Sequence, residues 1–175
     1  MKKQRIIELD FIVDQLTNSI QNTISGDSFA TDVLRFTNTD LKTVNKKNQW
    51  NFNWKAELAD NTRDIFKLTI ANNPTIVQGL LSISIEPDHV YVHLLESAPF
   101  NIGKDKLYEG VAGNLLAHAC KVSFQQGFAG FVAFTAKTKL ITHYQKTLGA
   151  YLLGGQKMII PTASAQILIN KYFKS

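Results

Sequence analysis

Residues 94–116 read LLESAPFNIGKDKLYEGVAGNLL, and the fold turns on the join inside them. Leu94-Leu95-Glu96 ends a stretch with strand character, and residues 97–108 form a loop. Glu109-Gly110-Val111-Ala112-Gly113-Asn114-Leu115-Leu116 is then a glycine-rich entry into a helix. The first turn of a helix has backbone N–H groups without intrahelical partners and carries a partial positive charge. Glycine and alanine let a phosphate come close to that backbone. The stretch therefore predicts a strand, a loop and a helix whose start, Gly110 to Asn114, suits a diphosphate.

Upstream of this join, the apolar residues recur at period two. Phe52, Trp54, Ala56 and Leu58 predict a half-buried strand, and so do Phe66, Leu68 and Ile70. Thr75–Ile85 and His89–Glu96 follow as two more strands, with turns at 60–62, 72–74 and 86–88. Four strands joined so closely form an antiparallel meander. Further back, Leu9, Ile12, Val13, Leu16, Ile20 and Ile24 predict a helix over residues 6–25, stopped at Gly26. Between the two, Val33, Leu34 and Phe36 suggest a short strand and 40–44 a helical turn.

Downstream, Val111, Leu115, Leu116, Ala119 and Val122 line one face of a helix that Gly127 ends. Phe131–Thr135 is a short buried strand. Leu140, Ile141, Tyr144 and Leu148 mark another helix, closed by Gly149. Gly154-Gly155 joins a hairpin, 151–153 with 158–160, and a last helix opens at Pro161-Thr162. The predicted class is α/β, a mixed and mainly antiparallel sheet with helices on both faces.

At 175 residues the chain is sized for one domain. It has no apolar run long enough for a transmembrane helix. The basic start is interrupted by Glu8, Asp10 and Asp14, which argues against a signal peptide. A single cysteine, Cys120, excludes an intrachain disulfide and points to a reducing, cytoplasmic setting. The net charge of +5 is scattered, so nucleic acid is disfavoured as a partner. The four histidines show no metal-ligand spacing, and no metal is expected.

Leu107-Tyr108-Glu109-Gly110-Val111-Ala112 resembles the acyl-CoA signature of the GNAT superfamily of N-acyltransferases, Q/R-x-x-G-x-G/A, at the start of the helix after the fourth strand. Gly110 and Ala112 match it, and Leu107 departs from it. Residues 141–150, ITHYQKTLGA, resemble the late family motif, with Tyr144 at the tyrosine position and Lys137 where an asparagine is usual. The resemblance covers about residues 51–160. It leaves residues 1–50 as a variable N-terminal part and 161–175 as a C-terminal helix of the same domain. Leu95-Glu96-Ser97-Ala98-Pro99-Phe100-Asn101 and the closing Lys171-Tyr172-Phe173 also resemble a bacterial subfamily, without indicating a substrate.

The resemblance implies an N-acetyltransferase that moves the acetyl group of acetyl-CoA directly to a primary amine. Leu95 and Glu96 would hold the pantetheine, Gly110, Val111, Ala112, Gly113 and Asn114 the diphosphate, and Lys137 the cofactor by charge. Tyr144 would protonate the leaving thiolate and Glu96 would act as base. Each role has a plainer alternative: Tyr144 as a core tyrosine, Glu96 as a strand-end carboxylate that binds the acceptor. His93 on the same strand can relay a proton or simply pack. His118, His143 and Cys120 are expected to be structural, and Phe52, Trp54 and Phe66 to be core, while Asn51 and Asn53 are candidates for the acceptor pocket. The rival readings are a GNAT-fold binding module without transfer and a nucleic-acid-binding protein. The acceptor and the oligomeric state, a homodimer included, stay open.

Overall fold

Seven of the strands form one sheet in the computed structural model, which describes residues 6–17 and 19–173. In chain order the elements are β1 (Ile20–Asn22), β2 (Ser28–Phe29), β3 (Thr31–Arg35), α1 (Trp54–Ala59), β4 (Asp64–Ile70), β5 (Gly79–Ile85) and β6 (Val90–Ser97). There follow β7 (Tyr108–Glu109), α2 (Val111–Gln125), β8 (Val132–Thr135), α3 (Ile141–Leu148), β9 (Tyr151–Gly154), β10 (Lys157–Ile160) and α4 (Thr162–Tyr172). The large sheet runs β3-β4-β5-β6-β8-β10-β9, and a small one runs β2-β1-β7. Every pair in the large sheet is antiparallel except β6 with β8.

Alternation explains the layers. Gly79, Leu81 and Ile83 turn to the face that carries α2, where a Cβ on Gly79 would run into Val111. Ser82 and Ser84 turn to the other face, where the Ser82 hydroxyl donates to Glu57 of α1 at 2.6 Å. Leu115, Leu116, Ala119 and Cys120 are fully buried between the sheet and α4. Among the described residues, no helix is long and apolar enough to cross a membrane.

The mixed, mainly antiparallel α/β architecture is as expected, but three assignments are corrected. Residues 6–17 are not helical. Leu9 and Val13 are buried while Glu8, Asp10 and Ile12 are exposed, a period of two that marks an extended chain. Residues 52–58 are not a strand. Asn53 caps α1 by accepting from the Ala56 N–H, and Lys55, Ala56, Glu57 and Leu58 are good helix formers. The first strand of the meander is instead β3, which pairs with β4 from Thr31↔Ile70 to Arg35↔Phe66. Residues 75–78 precede β5 rather than belonging to it. The helical turn near residue 40 is present as a 3₁₀ segment, Asn38–Lys42.

Candidate active site

β6 and β8 are parallel neighbours only at Val90↔Val132 and Tyr91↔Ala133, and beyond that they part. From Val92 onward the edge of β6 towards β8 therefore has no strand beside it among the described residues. A β-bulge sharpens the divergence: Ser82 pairs with Leu94 and Ile83 with Val92, which leaves His93 as the extra residue. The gap opens in front of the start of α2. There Gly110 holds φ +89°, a left-handed conformation that favours glycine, and a Cβ would overlap Thr17.

A cleft of about 470 Å³ lies along this gap. Leu95, Glu96, Val111 and Ala112 line it, together with Asp14 and Lys106. The structure thus brings together four of the nine residues singled out in the sequence. Gly110 adjoins them through its N–H, which donates to Asp14 Oδ1 at 3.1 Å. Gly113 and Asn114 face elsewhere. A Cβ on Gly113 would strike the Tyr172 ring and hydroxyl, and the buried Asn114 amide donates to Thr31 Oγ1 at 2.9 Å. Leu107, where the family places glutamine or arginine, leaves its side chain partly in solvent.

Glu96 is buried, and its two oxygens accept three N–H groups: Asn51 N at 2.7 Å, Phe52 N at 3.3 Å and Trp54 Nε1 at 2.8 Å. It ties the chain entering α1 to the end of β6. Tyr144 is fully buried against Phe134 and Phe11, with ring centroids 5.2 and 4.7 Å away. Its hydroxyl donates to Phe11 O at 2.6 Å. Burial, and then the negative charge of Asp10, push the phenol above its ordinary value. Lys137 stands at the turn into α3, where its Nζ meets Asp10 Oδ2 at 2.7 Å, a contact that raises the ammonium.

On the face of α1 a second cleft, about 620 Å³, opens beside the bulge, with Arg63, Glu86, Tyr91 and His93 in its wall. Ser84 Oγ lies 2.7 Å from His93 Nε2 and donates to Glu86 Oε2 at 2.9 Å. Burial, and then the Arg63 charge, lower His93 to about 4, so the ring is neutral at neutral pH. Two other clefts, about 520 and 680 Å³, flank Trp50 and residues 41–55, and among the described residues their walls hold no carboxylate or histidine.

The sequence reading missed the part played by residues 9–17, whose signal was the alternation Ile7, Leu9, Phe11, Val13. It also missed Lys106, an isolated lysine in a loop, which carries no pattern of its own.

No protein-family model matches the chain, and no curated protein matches it. Solved structures do. A ribosomal-protein-S18-alanine N-acetyltransferase from Escherichia coli superposes with TM-score 0.52 at 14% identity, covering 75% of this chain and 94% of that one. An AtaT toxin mutant, bound to acetyl-CoA and the C-terminus of the antitoxin AtaR, gives TM-score 0.56 at 19% identity, with 79% and 97% covered. A chimera of the spermidine N-acetyltransferase SpeG from Vibrio cholerae gives 0.53 at 16% identity, with 78% and 98% covered. The chain has the fold of the GNAT N-acetyltransferases, the fold to which the glycine-rich helix entry and the late tyrosine helix pointed.

Proposed function

We propose that this chain is an acyl-CoA-dependent N-acyltransferase, an N-acetyltransferase, that passes the acetyl group of acetyl-CoA directly to a primary amine. One observation carries the reading: within a GNAT fold, β6 and β8 part directly in front of a glycine-started α2. The donors there suit the cofactor chemically. The Gly110 N–H, the helix start and the Lys106 ammonium fit a diphosphate, and the open edge of β6 fits a pantetheine arm. In the conformation described, residues 9–17 lie in the same place, so a bound acyl-CoA needs them to move.

The chain's own groups divide the proton work. A phenol keeps its proton at neutral pH, as a general acid must, and Tyr144 stands on α3, the helix after β8, where the resemblance puts that acid. For the base, His93 is an alternative to Glu96. Glu96 would have to give up N–H partners that hold the chain before α1. His93 is neutral, borders the gap, and reaches Glu86 through Ser84. The amine would come from the α1 face, where Glu8 and Glu86 line the cleft together with Arg63 and Lys157.

Calorimetric titration with CoA and acetyl-CoA, with ATP as control, tests the site. Saturable one-to-one binding with CoA preferred is expected, followed by turnover in an amine screen. Tyr144→Phe should lower kcat about a hundredfold while binding persists. No binding at millimolar cofactor would end this reading. A second reading, a GNAT-fold module without transfer, is favoured by Leu107 and by the filled groove. Its signature is CoA binding without turnover on any amine.

A further inference from the structure

Residues 8–17 run as an extended strap through the gap between β6 and β8. Its backbone binds β8: Leu9 N–H donates to Thr135 O at 2.7 Å, and Lys137 N–H donates to Leu9 O at 2.9 Å. Leu9 and Val13 are buried, and the Phe11 ring lies on Tyr144. Further along, the Val13 N–H donates to His143 Nε2 at 3.0 Å. Asp14 then reaches the start of α2, with Oδ1 on the Gly110 N–H and Oδ2 3.1 Å from Lys106 Nζ. Thr17 closes over Gly110 and takes Tyr172 OH as partner for its N–H at 3.3 Å.

The match between the strap and the proposed cofactor site is group by group. Asp10 holds Lys137, the Phe11 carbonyl holds the Tyr144 hydroxyl, and Asp14 holds both the Gly110 N–H and Lys106. Two carboxylates stand where negative charge is favoured, one of them at a helix start. An apolar ring covers the proposed general acid. These are the donors that an acyl-CoA would use, and one donor cannot serve both at once.

We infer that the strap is a built-in competitor for the acyl-CoA site: the chain closes its own groove with Asp10, Phe11 and Asp14, and acyl-CoA binds by displacing them. This rests on the acyl-CoA reading of the site. The strap-closed form then multiplies the apparent affinity by the fraction of open molecules, which weakens it. Loosening the strap tightens cofactor binding without adding a contact to the cofactor.

The test uses the full chain. Asp10→Asn together with Asp14→Asn keeps the side-chain volumes and removes both charges. CoA should bind this variant roughly tenfold more tightly than the wild type. Residue-resolved amide exchange gives an independent readout: CoA should speed exchange at Leu9 in the wild type, since release breaks its bond to Thr135 O. Thermal unfolding of the variant checks that it folds. If it does not, exchange at Leu9 in the wild type decides alone. Equal affinities, or a Leu9 amide equally protected with and without CoA, would overturn the strap while leaving the acyl-CoA site intact. No CoA binding to either protein would instead remove the site reading, and the strap's competition with it.

Discussion

Gly110 is the residue on which two demands meet. Its φ of +89° costs an L side chain about 1–2 kcal/mol, and an added methyl would collide with Thr17 Oγ1 and the Ser19 carbonyl. Gly110→Ala should therefore lower stability by at least ~1–2 kcal/mol in urea unfolding. It should also loosen Asp14, Thr17 and Ser19, which contact it. An unchanged midpoint would mean that Thr17 does not sit against this glycine. Gly113, in the first turn of α2, has a different cause: it makes room for the Tyr172 ring of α4. The sequence presented both as members of one glycine-rich run. Their separate reasons lie in partners at residues 17 and 172, which local sequence does not reveal.

At the scale of elements, legibility followed the source of each stabilisation. α2, β6, β8 and α3 were legible because their own apolar periods match the faces they bury, and the β9–β10 hairpin because Gly154-Gly155 marks its turn, although β9 is exposed along its length. Residues 6–17 were misread because Leu9, Val13 and Leu16 satisfy helical spacing as well as Leu9, Phe11 and Val13 satisfy alternation. The partner that decides is the backbone of Thr135 and Lys137, which is distant in sequence. Residues 52–58 were misread for the opposite reason: an apparent alternation hid the Asn53 cap. Of the candidate site, Leu95, Glu96, Val111 and Ala112 were legible, while the His93 bulge depends on a register shift that no single strand displays.

α2 also carries an acid-sensitive group. His118 lies against Phe66, with ring centroids 4.5 Å apart, and its Nε2 has no partner among the described residues. Burial, and then the charges of Lys121 and Arg35, lower it from its ordinary value to about 4. The folded state therefore holds this ring neutral, while the unfolded chain protonates it below about 6.5. Its contribution to stability is full above the unfolded value and is lost as pH falls towards 4. His93, lowered in the same direction, adds to the loss in the same window. The melting temperature should drop between about pH 6.5 and 4, and His118→Leu should flatten part of that slope. Parallel pH profiles for the two proteins would contradict a buried neutral His118.

For the molecule as a whole, a ligand that binds only the folded form raises stability by mass action. At a hundred times its dissociation constant, acetyl-CoA should contribute about 2.7 kcal/mol. For a chain of this size, that is a rise of roughly 5–10 °C in Tm. A scan with acetyl-CoA and with ATP as control makes the measurement, and a shift no larger than that from the control would count against the site. The fold explains why such a ligand would act globally. It would touch the end of β6, the start of α2 and the turn into α3, which are joined through one sheet and one core.

The strap has a consequence in the order of synthesis. Leu9, Phe11 and Val13 leave the ribosome more than a hundred residues before Thr135, Lys137 and Tyr144, which hold them. A contact so distant in sequence closes late, after the sheet it joins has assembled. Until then an apolar segment is carried uncovered on the nascent chain, the kind of surface that chaperones recognise. The groove is thus complete before the segment that fills it can dock.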